Sequence, residues 1–327
     1  MARILSGMRP TGRLHLGNLV GALQNWVRLQ NEHECYFEVA DWHALTTGYE
    51  DTSSLAENVR QVVLDYLAAG LDPERCTIFV QSQVLEHAEL HLLFSMVTPV
   101  GWLERVPTYK QQMQELQDKD LSTYGFLGYP VLQAADILIY RAEAVPVGED
   151  QVPHIELTRE IARRFNHFFG AVFPEPQSLL NVVAVLPGID GRKMSKSYGN
   201  QINISDPPPV IREKVGQMIT DKSRIYRKDP GHPDICAVHT FYRIFAPDIQ
   251  EERAEACRRA TRGCVECKKL LAEALVQWLG PLQERRRRYE QNDALLKEIL
   301  EEGRRRAQVA AADTMRRVRA AIGMFTL

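Results

Sequence analysis

The 327-residue sequence contains no apolar run of membrane-spanning length and no signal peptide at its start, so a cytoplasmic protein is expected. It lacks an excess of either charge: 40 Lys+Arg against 42 Asp+Glu give a formal net charge of -2. A nucleic-acid partner would therefore have to be met by local patches and not by the field of the whole chain. No GxxxxGK[ST] segment occurs, and Gly7, Gly12, Gly17 and Gly21 miss the GxGxxG spacing, which excludes two common phosphate-binding fingerprints. The six cysteines are expected as reduced thiols or metal ligands, not disulfides. What remains is a globular composition, 45% hydrophobic and 25% charged, on a chain long enough for two domains.

The segment from Ile4 to Leu23 reads as strand, glycine-rich loop and helix. Leu16, Leu19, Val20 and Leu23 have helical spacing and would pack the helix back on a sheet. A glycine-rich turn leading to a helix N-terminus offers free N–H donors to phosphate, with His15 in reach; an ordinary turn carrying a surface histidine is the alternative. Cys35–Val39 and Thr77–Val80 read as further strands, with Asp41, Trp42 and His43, then Ser82 and Gln83, just past their ends. Between them Ser54 and Glu57 have capping-box spacing ahead of a helix that Gly70 ends. Strand and helix alternate, which predicts an α/β fold with a Rossmann-like, doubly wound parallel sheet.

From His87 to about Leu121 the pattern is helical, broken at Pro99 and Pro107, with Trp102 and Tyr109 either core or subunit contact. In the helix around Tyr129–Tyr140, Gln133 and Asp136 share a face among apolar neighbours. An acid there is costly to bury alone and invites a ligand donor, unless it lies at a helix surface or N-cap. Val145–Val147 reads as a short strand, after which Gly148 would let a ligand approach the backbone and Asp150 could cap the next helix or accept ribose hydroxyls. Asp206-Pro207-Pro208-Pro209 marks the domain boundary, giving residues 1–200 as catalytic domain and 201–327 as a C-terminal helical domain. Helices are expected over 211–219, 254–278 and 282–322, the last long enough to pack back on the first domain. From Glu284 to Leu327 there are 11 Lys+Arg and 7 Asp+Glu, a balance of +4 led by Arg285–Arg288 and Arg304–Arg306, which is either a solvated helix face or an RNA contact.

Lys193-Met194-Ser195-Lys196-Ser197 lies in a glycine-flanked loop with two ammonium groups, suited to stabilising oxygens that gain charge as pyrophosphate leaves. Together with His15-Leu16-Gly17-Asn18 this loop resembles the paired signature of class I aminoacyl-tRNA synthetases. Ser6–Gly12, Tyr129–Tyr140 and Val145–Gln151 extend the resemblance to the bacterial tryptophanyl-tRNA synthetases over most of the chain. It implies ATP-dependent activation of tryptophan and its transfer to tRNA(Trp), with Mg²⁺ accompanying ATP, by a homodimer. His15, Asn18, Lys193 and Lys196 would be catalytic. Arg9, Thr11, Gly17, Gly148, Asp150, Met194, Ser195 and Ser197 would join them in binding ATP. Asp136 would accept the indole N–H, Tyr129 and Gln151 would hold the α-amino group, and Leu5, Gly7, Gln133, Ile137, Val145 and Val147 would shape the pocket. A tyrosyl enzyme is the nearest rival, though Leu5 stands where that family typically has tyrosine; a tryptophan- and ATP-binding regulator that charges no tRNA is another.

Cys236, Cys257, Cys264 and Cys267 are separated by 20, 6 and 2 residues. Four soft donors suit zinc or an iron–sulfur cluster, or they are unconnected thiols. A subset of the tryptophanyl enzymes resembles this pattern and carries a 4Fe–4S cluster near the anticodon-binding region, which makes that cluster the expectation and Zn²⁺ the alternative. Cys35 and Cys76 are expected in the core.

Overall fold

A computed structural model describes residues 1–107, 109, 121–180 and 186–325. Five parallel strands, β1 (Arg3–Met8), β2 (Glu34–Val39), β3 (Thr77–Val80), β4 (Ala144–Val147) and β5 (Gln177–Leu180), lie in the order β3-β2-β1-β4-β5. The chain winds outward from β1 to β3 on one side and resumes with β4 on the other. The strand order therefore reverses between β1 and β4, the place where open parallel sheets open a crevice at their carboxyl ends.

Both faces of the sheet are covered, so its inner strands are apolar on both sides. The two-residue period of β1 and β2 sends Ile4, Cys35, Phe37 and Val39 into one core with Trp26 and Tyr66, and Leu5 and Tyr36 into a second with the Tyr124–Ile139 helix. Glu38 falls by the same period on the Tyr36 face, beside the buried His87 and Asp136. Trp102 and Tyr109 are half-buried against that second core. Residues 108 and 110–120 of the helical segment expected to reach Leu121 lie outside the described residues.

Several sequence expectations are corrected. Ser54 precedes the Leu55–Ala69 helix but caps nothing with its side chain; its Oγ accepts from Asn58 Nδ2 at 3.2 Å, while Glu57 takes Gln61 Nε2 at 2.6 Å. Both partners lie one turn on, so the capping box loses to pairs four residues apart along the helix. Asp150 does not cap either: the Val152–Phe169 helix starts beyond Gln151, whose Nε2 donates to Asp150 at 3.2 Å. β5 has no signature in the sequence because it is four residues long and half-exposed at a sheet edge. The expected helix over 254–278 is two helices, Pro247–Arg258 and Cys264–Glu290, parted by a turn in which Ala260 has φ 55°. The second runs on through Pro281, and the chain breaks only at Asn292, whose side chain caps the Asp293–Ile322 helix by accepting from Leu295 N.

The Cys264–Glu290 helix packs on the Leu55–Ala69 and Pro208–Gln217 helices, and the Asp293–Ile322 helix lies along β3. Gly303 permits that approach, since an added Cβ would overlap the carbonyl oxygen of Ile78. Part of the basic run is spent on this docking. Arg286 is buried against Asp65 at 2.9 Å and also donates to Gln61; Arg285 reaches Ala68 O at 3.0 Å, and Arg319 pairs with Glu89. Arg288, Arg304 and Arg305 instead pair with glutamates three or four residues away on their own helices.

Candidate active site

At the β1/β4 crevice a cavity of about 370 Å³ opens. The structure brings together around it all nine residues expected to meet the amino acid: Leu5 and Gly7 from β1, Tyr129, Gln133, Asp136 and Ile137 from one helix, Val145 and Val147 from β4, and Gln151. Arg9 and Gly148 line it as well. Apolar residues (Leu5, Ile137, Val145, Val147) and polar ones share its lining, and three of the polar groups, Glu38, His43 and Asp136, meet at one end.

That end is Asp136, 1% exposed. Sequence pointed to a ligand donor for this acid, or to a helix surface or N-cap; it is buried, and three side chains from other elements hold it. His43 Nε2 donates to Oδ2 at 2.7 Å, while Gln81 Nε2 and His87 Nδ1 donate to Oδ1 at 2.8 and 2.7 Å. His87 Nε2 then meets the Tyr140 hydroxyl at 2.7 Å, which fixes its ring. Burial works to raise the Asp136 carboxyl, but the hydrogen bonds and charge of His43 and His87 outweigh it and keep the group well below the usual carboxylate range. Asp136 is thus a preorganised anion facing an apolar slot, with one lone pair of Oδ2 still open. Tyr129 OH lies 2.7 Å from His154 Nε2, and burial pushes the His154 imidazole down to about 4, so the neutral ring accepts from the tyrosine.

The expected phosphate side is a second, adjoining construction. His15 caps the helix that starts at Leu16: its Nδ1 accepts from Asn18 N at 3.2 Å, and Asn18 Oδ1 accepts from His15 N at 3.0 Å. Burial, then the charges of Lys196 and Lys193, push the imidazole down to about 4, so it is a neutral ring with Nε2–H left to donate. Gly17 must lack a side chain, because a Cβ would stand 2.9 Å from His15 Nδ1. Leu16 N to Ile202 O at 2.9 Å and Ile204 N to Leu14 O at 3.0 Å bind this loop to the chain just after the lysine–serine loop.

Lys196 bridges the two motifs. Its Nζ donates to Gly12 O at 2.8 Å and lies 3.4 Å from Thr11 Oγ1; burial, with Arg9 adding repulsion, pushes its ammonium down to about 8 although Asp65 opposes this. Lys193 and Ser197 are exposed, Met194 is buried, and Ser195 Oγ accepts from Ser197 N at 3.3 Å. Asn200, 2% exposed, holds the loop by accepting from Ser195 N at 2.8 Å and donating to Asp190 at 2.7 Å and Lys193 O at 3.2 Å. Asp150 stands at the rim, exposed.

Sequence reasoning missed Glu38, Gln81, His87, His154, Asn200 and the Asp65–Arg286 pair. Asp65 also accepts from Leu14 N at 2.8 Å, one residue before His15. Glu38 alone had a usable signal: an acid inside a run of five buried strand residues. The others are ordinary polar residues, on helices except for Asn200 in its loop, and only their convergence singles them out.

Cys236, Cys257, Cys264 and Cys267 converge on one small cavity of about 30 Å³ with Arg224, whose guanidinium is 3.8 Å from Sγ of both Cys257 and Cys264. The distant Cys236 joins the other three because the Ala237–Phe245 helix, which it precedes, packs against the Cys264–Glu290 helix. Burial pushes the Cys267 thiol up to about 11 and raises Cys257, the latter opposed by Arg224. Such thiols ionise when a cation arrives to take them, so the donor set fits a thiophilic metal centre. Cys35 and Cys76 are buried, with thiols pushed up to about 12 by burial, and belong to the core.

Residues 1–280 match the family model of tRNA synthetases class I (W and Y). The chain is 56% identical to the tryptophan–tRNA ligase of Thermotoga maritima over 328 residues, covering 99% of each, and 44% identical to that of Aquifex aeolicus over 393 residues, covering 98% of this chain and 100% of the relative. Its fold superposes with a TM-score of 0.90 on the crystal structure of Campylobacter jejuni tryptophanyl-tRNA synthetase complexed with ADP and tryptophan, at 32% identity, covering 98% of this chain and 100% of that one. Sheet order, crevice, the two phosphate-side motifs and these relatives agree: the chain belongs to the class I tRNA synthetases for tryptophan and tyrosine.

Proposed function

We propose that this chain is a tryptophan–tRNA ligase, activating L-tryptophan with ATP to tryptophanyl-adenylate and transferring it to tRNA(Trp). The observation that carries the amino-acid choice is the slot between Leu5, Ile137, Val145 and Val147 that ends in Asp136, a carboxylate held by three donors. Indole is a large apolar ring with one N–H donor and no acceptor, which a single open carboxylate lone pair matches. Tyr129 and Gln151 at the mouth of the slot would hold the α-amino group, leaving the substrate carboxylate toward the His15 side.

No side chain acts as nucleophile: the substrate carboxylate attacks the α-phosphorus of ATP, the bond to pyrophosphate breaks, and catalysis is positioning plus charge stabilisation. His15 Nε2–H and Lys196 Nζ sit on two sides of the glycine-rich loop and would donate to phosphate oxygens. Asn18 sets the His15 ring, Arg9, Thr11, Gly17, Lys193 and Ser195 complete the cradle, and Gly148 and Asp150 would meet the nucleoside. Mg²⁺ would come with ATP, bound largely by phosphates and water.

Cys236, Cys257, Cys264 and Cys267 would hold a 4Fe–4S cluster, with zinc the alternative. All four thiols line one cavity, and four soft donors suit either centre. Its chemistry when bound is to cross-link the helices that carry those cysteines. A homodimer in the cytoplasm completes the reading; Leu92, Met96 and Val100, exposed apolar residues in succession, support a subunit contact. Among the described residues no helix is long and apolar enough to cross a membrane.

The test is ATP–pyrophosphate exchange with tryptophan and with tyrosine, followed by charging of purified tRNA. Exchange and charging with tryptophan alone are expected. Exchange with tyrosine instead overturns the substrate, and exchange without charging makes the chain a regulator.

A further inference from the structure

Glu38 has no part in the chemistry above, yet it is buried in the same cavity. β1 and β2 pair in register with Gly7 beside Glu38, and only glycine leaves room there, because a Cβ at position 7 would overlap Glu38 Cγ. Glu38 is 4% exposed and lines the cavity with Asp136. One of its carboxyl oxygens lies within 4.8 Å of a carboxyl oxygen of Asp136 and a ring nitrogen of His87. Its Oε2 is buried without a hydrogen-bond partner.

An acid on an inner strand, given space by a glycine and left with an unpartnered oxygen, is a costly arrangement for folding alone. Asp136 cannot relieve it as a donor, being ionised, and its Oδ1 is already filled by Gln81 and His87. What the pocket lacks at this point is a donor brought by the ligand.

We propose that Glu38 is a further specificity-determining residue of the pocket: its Oε2 accepts a hydrogen bond from the ring N–H of the amino-acid substrate, beside the carboxylate of Asp136. This rests on the tryptophan reading given above. Burial, then the charges of Asp136 and Asp41, hold the Glu38 carboxyl well above the usual range. It is therefore the neutral member of an acid–carboxylate pair, with Oε2 as the carbonyl oxygen open to the ligand and the last Oδ2 lone pair of Asp136 left free beside it. Two acceptors of which only one is charged can share a single N–H without the repulsion of two carboxylates. A ring lacking that N–H would leave both acceptors facing an apolar surface.

The experiment compares kcat/KM in ATP–pyrophosphate exchange for L-tryptophan and for β-(3-benzothienyl)-L-alanine, in which sulfur replaces the ring N–H. The unaltered protein is measured beside Glu38→Met, Glu38→Gln and Asp136→Asn. Glu38→Met should lower the tryptophan-to-analogue ratio by about 10-fold or more, with the loss on the tryptophan side, and Glu38→Gln, which keeps an acceptor oxygen, should recover most of that ratio. Equal losses on both substrates, or an unchanged ratio, would overturn the proposal. A ratio that collapses in Asp136→Asn but not in Glu38→Met sinks the Glu38 role alone; a ratio indifferent to both sites sinks the pocket reading. Should Glu38→Met not fold, infrared difference spectra of the unaltered protein decide. A neutral-carboxyl C=O band, assigned by its absence in Glu38→Gln, should shift on binding tryptophan and stay in place with the sulfur analogue; no band, or the same shift with both, refutes it.

Discussion

Arg286→Met tests how far the terminal helices reach into the catalytic crevice. Asp65 is 0% exposed and Arg286 5% exposed, and their Nε–Oδ1 contact is 2.9 Å. Burial raises the Asp65 carboxyl, with Arg286 and the Leu14 N–H pulling against it. Removing the guanidinium leaves Asp65 to ionise alone in the interior or to take up a proton, and breaking a buried pair from one side costs about 3–5 kcal/mol. An unfolding entropy of ~2.1 cal/mol/K per residue gives about 0.7 kcal/mol/K for 327 residues, so the Tm should drop by roughly 4–7 °C. Calorimetry on Arg286→Met, Asp65→Asn and the double variant checks this, and the double variant should lose less than the sum of the singles because no charge is left unpaired. ATP–pyrophosphate exchange should fall in Arg286→Met as well, since Asp65 also anchors Leu14 beside His15. A drop under ~1 °C, or strict additivity, would show that the contact carries no coupled charge.

Lys196→Ala should slow adenylate formation far more than it weakens tryptophan binding, because its contact with phosphate strengthens as pyrophosphate departs; stopped-flow kinetics showing equal losses would contradict that role. With its ammonium pushed down to about 8, Lys196 is charged below that pH and neutral above it, so kcat/KM for ATP should decline as pH rises through about 8. Lys196→Arg should abolish that limb of the profile, and an identical limb in the variant assigns it to another group. Asp136→Ala should weaken tryptophan binding, measured by calorimetric titration, by roughly 1–3 kcal/mol, and wild-type affinity would make it a structural acid only. Anaerobically purified protein should be brown and contain iron with acid-labile sulfide, and Cys264→Ser should release it; colourless protein with one zinc per chain selects zinc. The same substitution should impair tRNA charging more than exchange, the opposite order placing the cysteine centre in support of adenylation.

The alternating strands and helices were readable because burial on both faces forces continuous apolar strands with helical spacing between them, whereas the strand order that reverses between β1 and β4 came only from the fold. The Ala237–Phe245 helix was not singled out although Val238, Phe241, Tyr242 and Phe245 stand at helical spacing, because it is short and lies between prolines. The environment of Asp136 was not readable. His43, Gln81 and His87 come from three elements that meet only when the sheet closes, and no sequence spacing records that meeting. The basic C-terminal run shows the same limit in reverse: composition counts Arg286 with its exposed neighbours, and only packing separates the buried ion pair from the solvated ones.

Gly303 sits mid-helix, where glycine costs about 1 kcal/mol relative to alanine. Its place over Ile78 puts the helix backbone against the outer edge of β3, the terminal strand of the sheet. An uncovered edge offers open N–H and C=O groups to a strand of another molecule. The glycine is therefore a solubility determinant: Gly303→Val should lift the helix from the strand, and the first symptom should be turbidity that grows with protein concentration, before any catalytic rate declines.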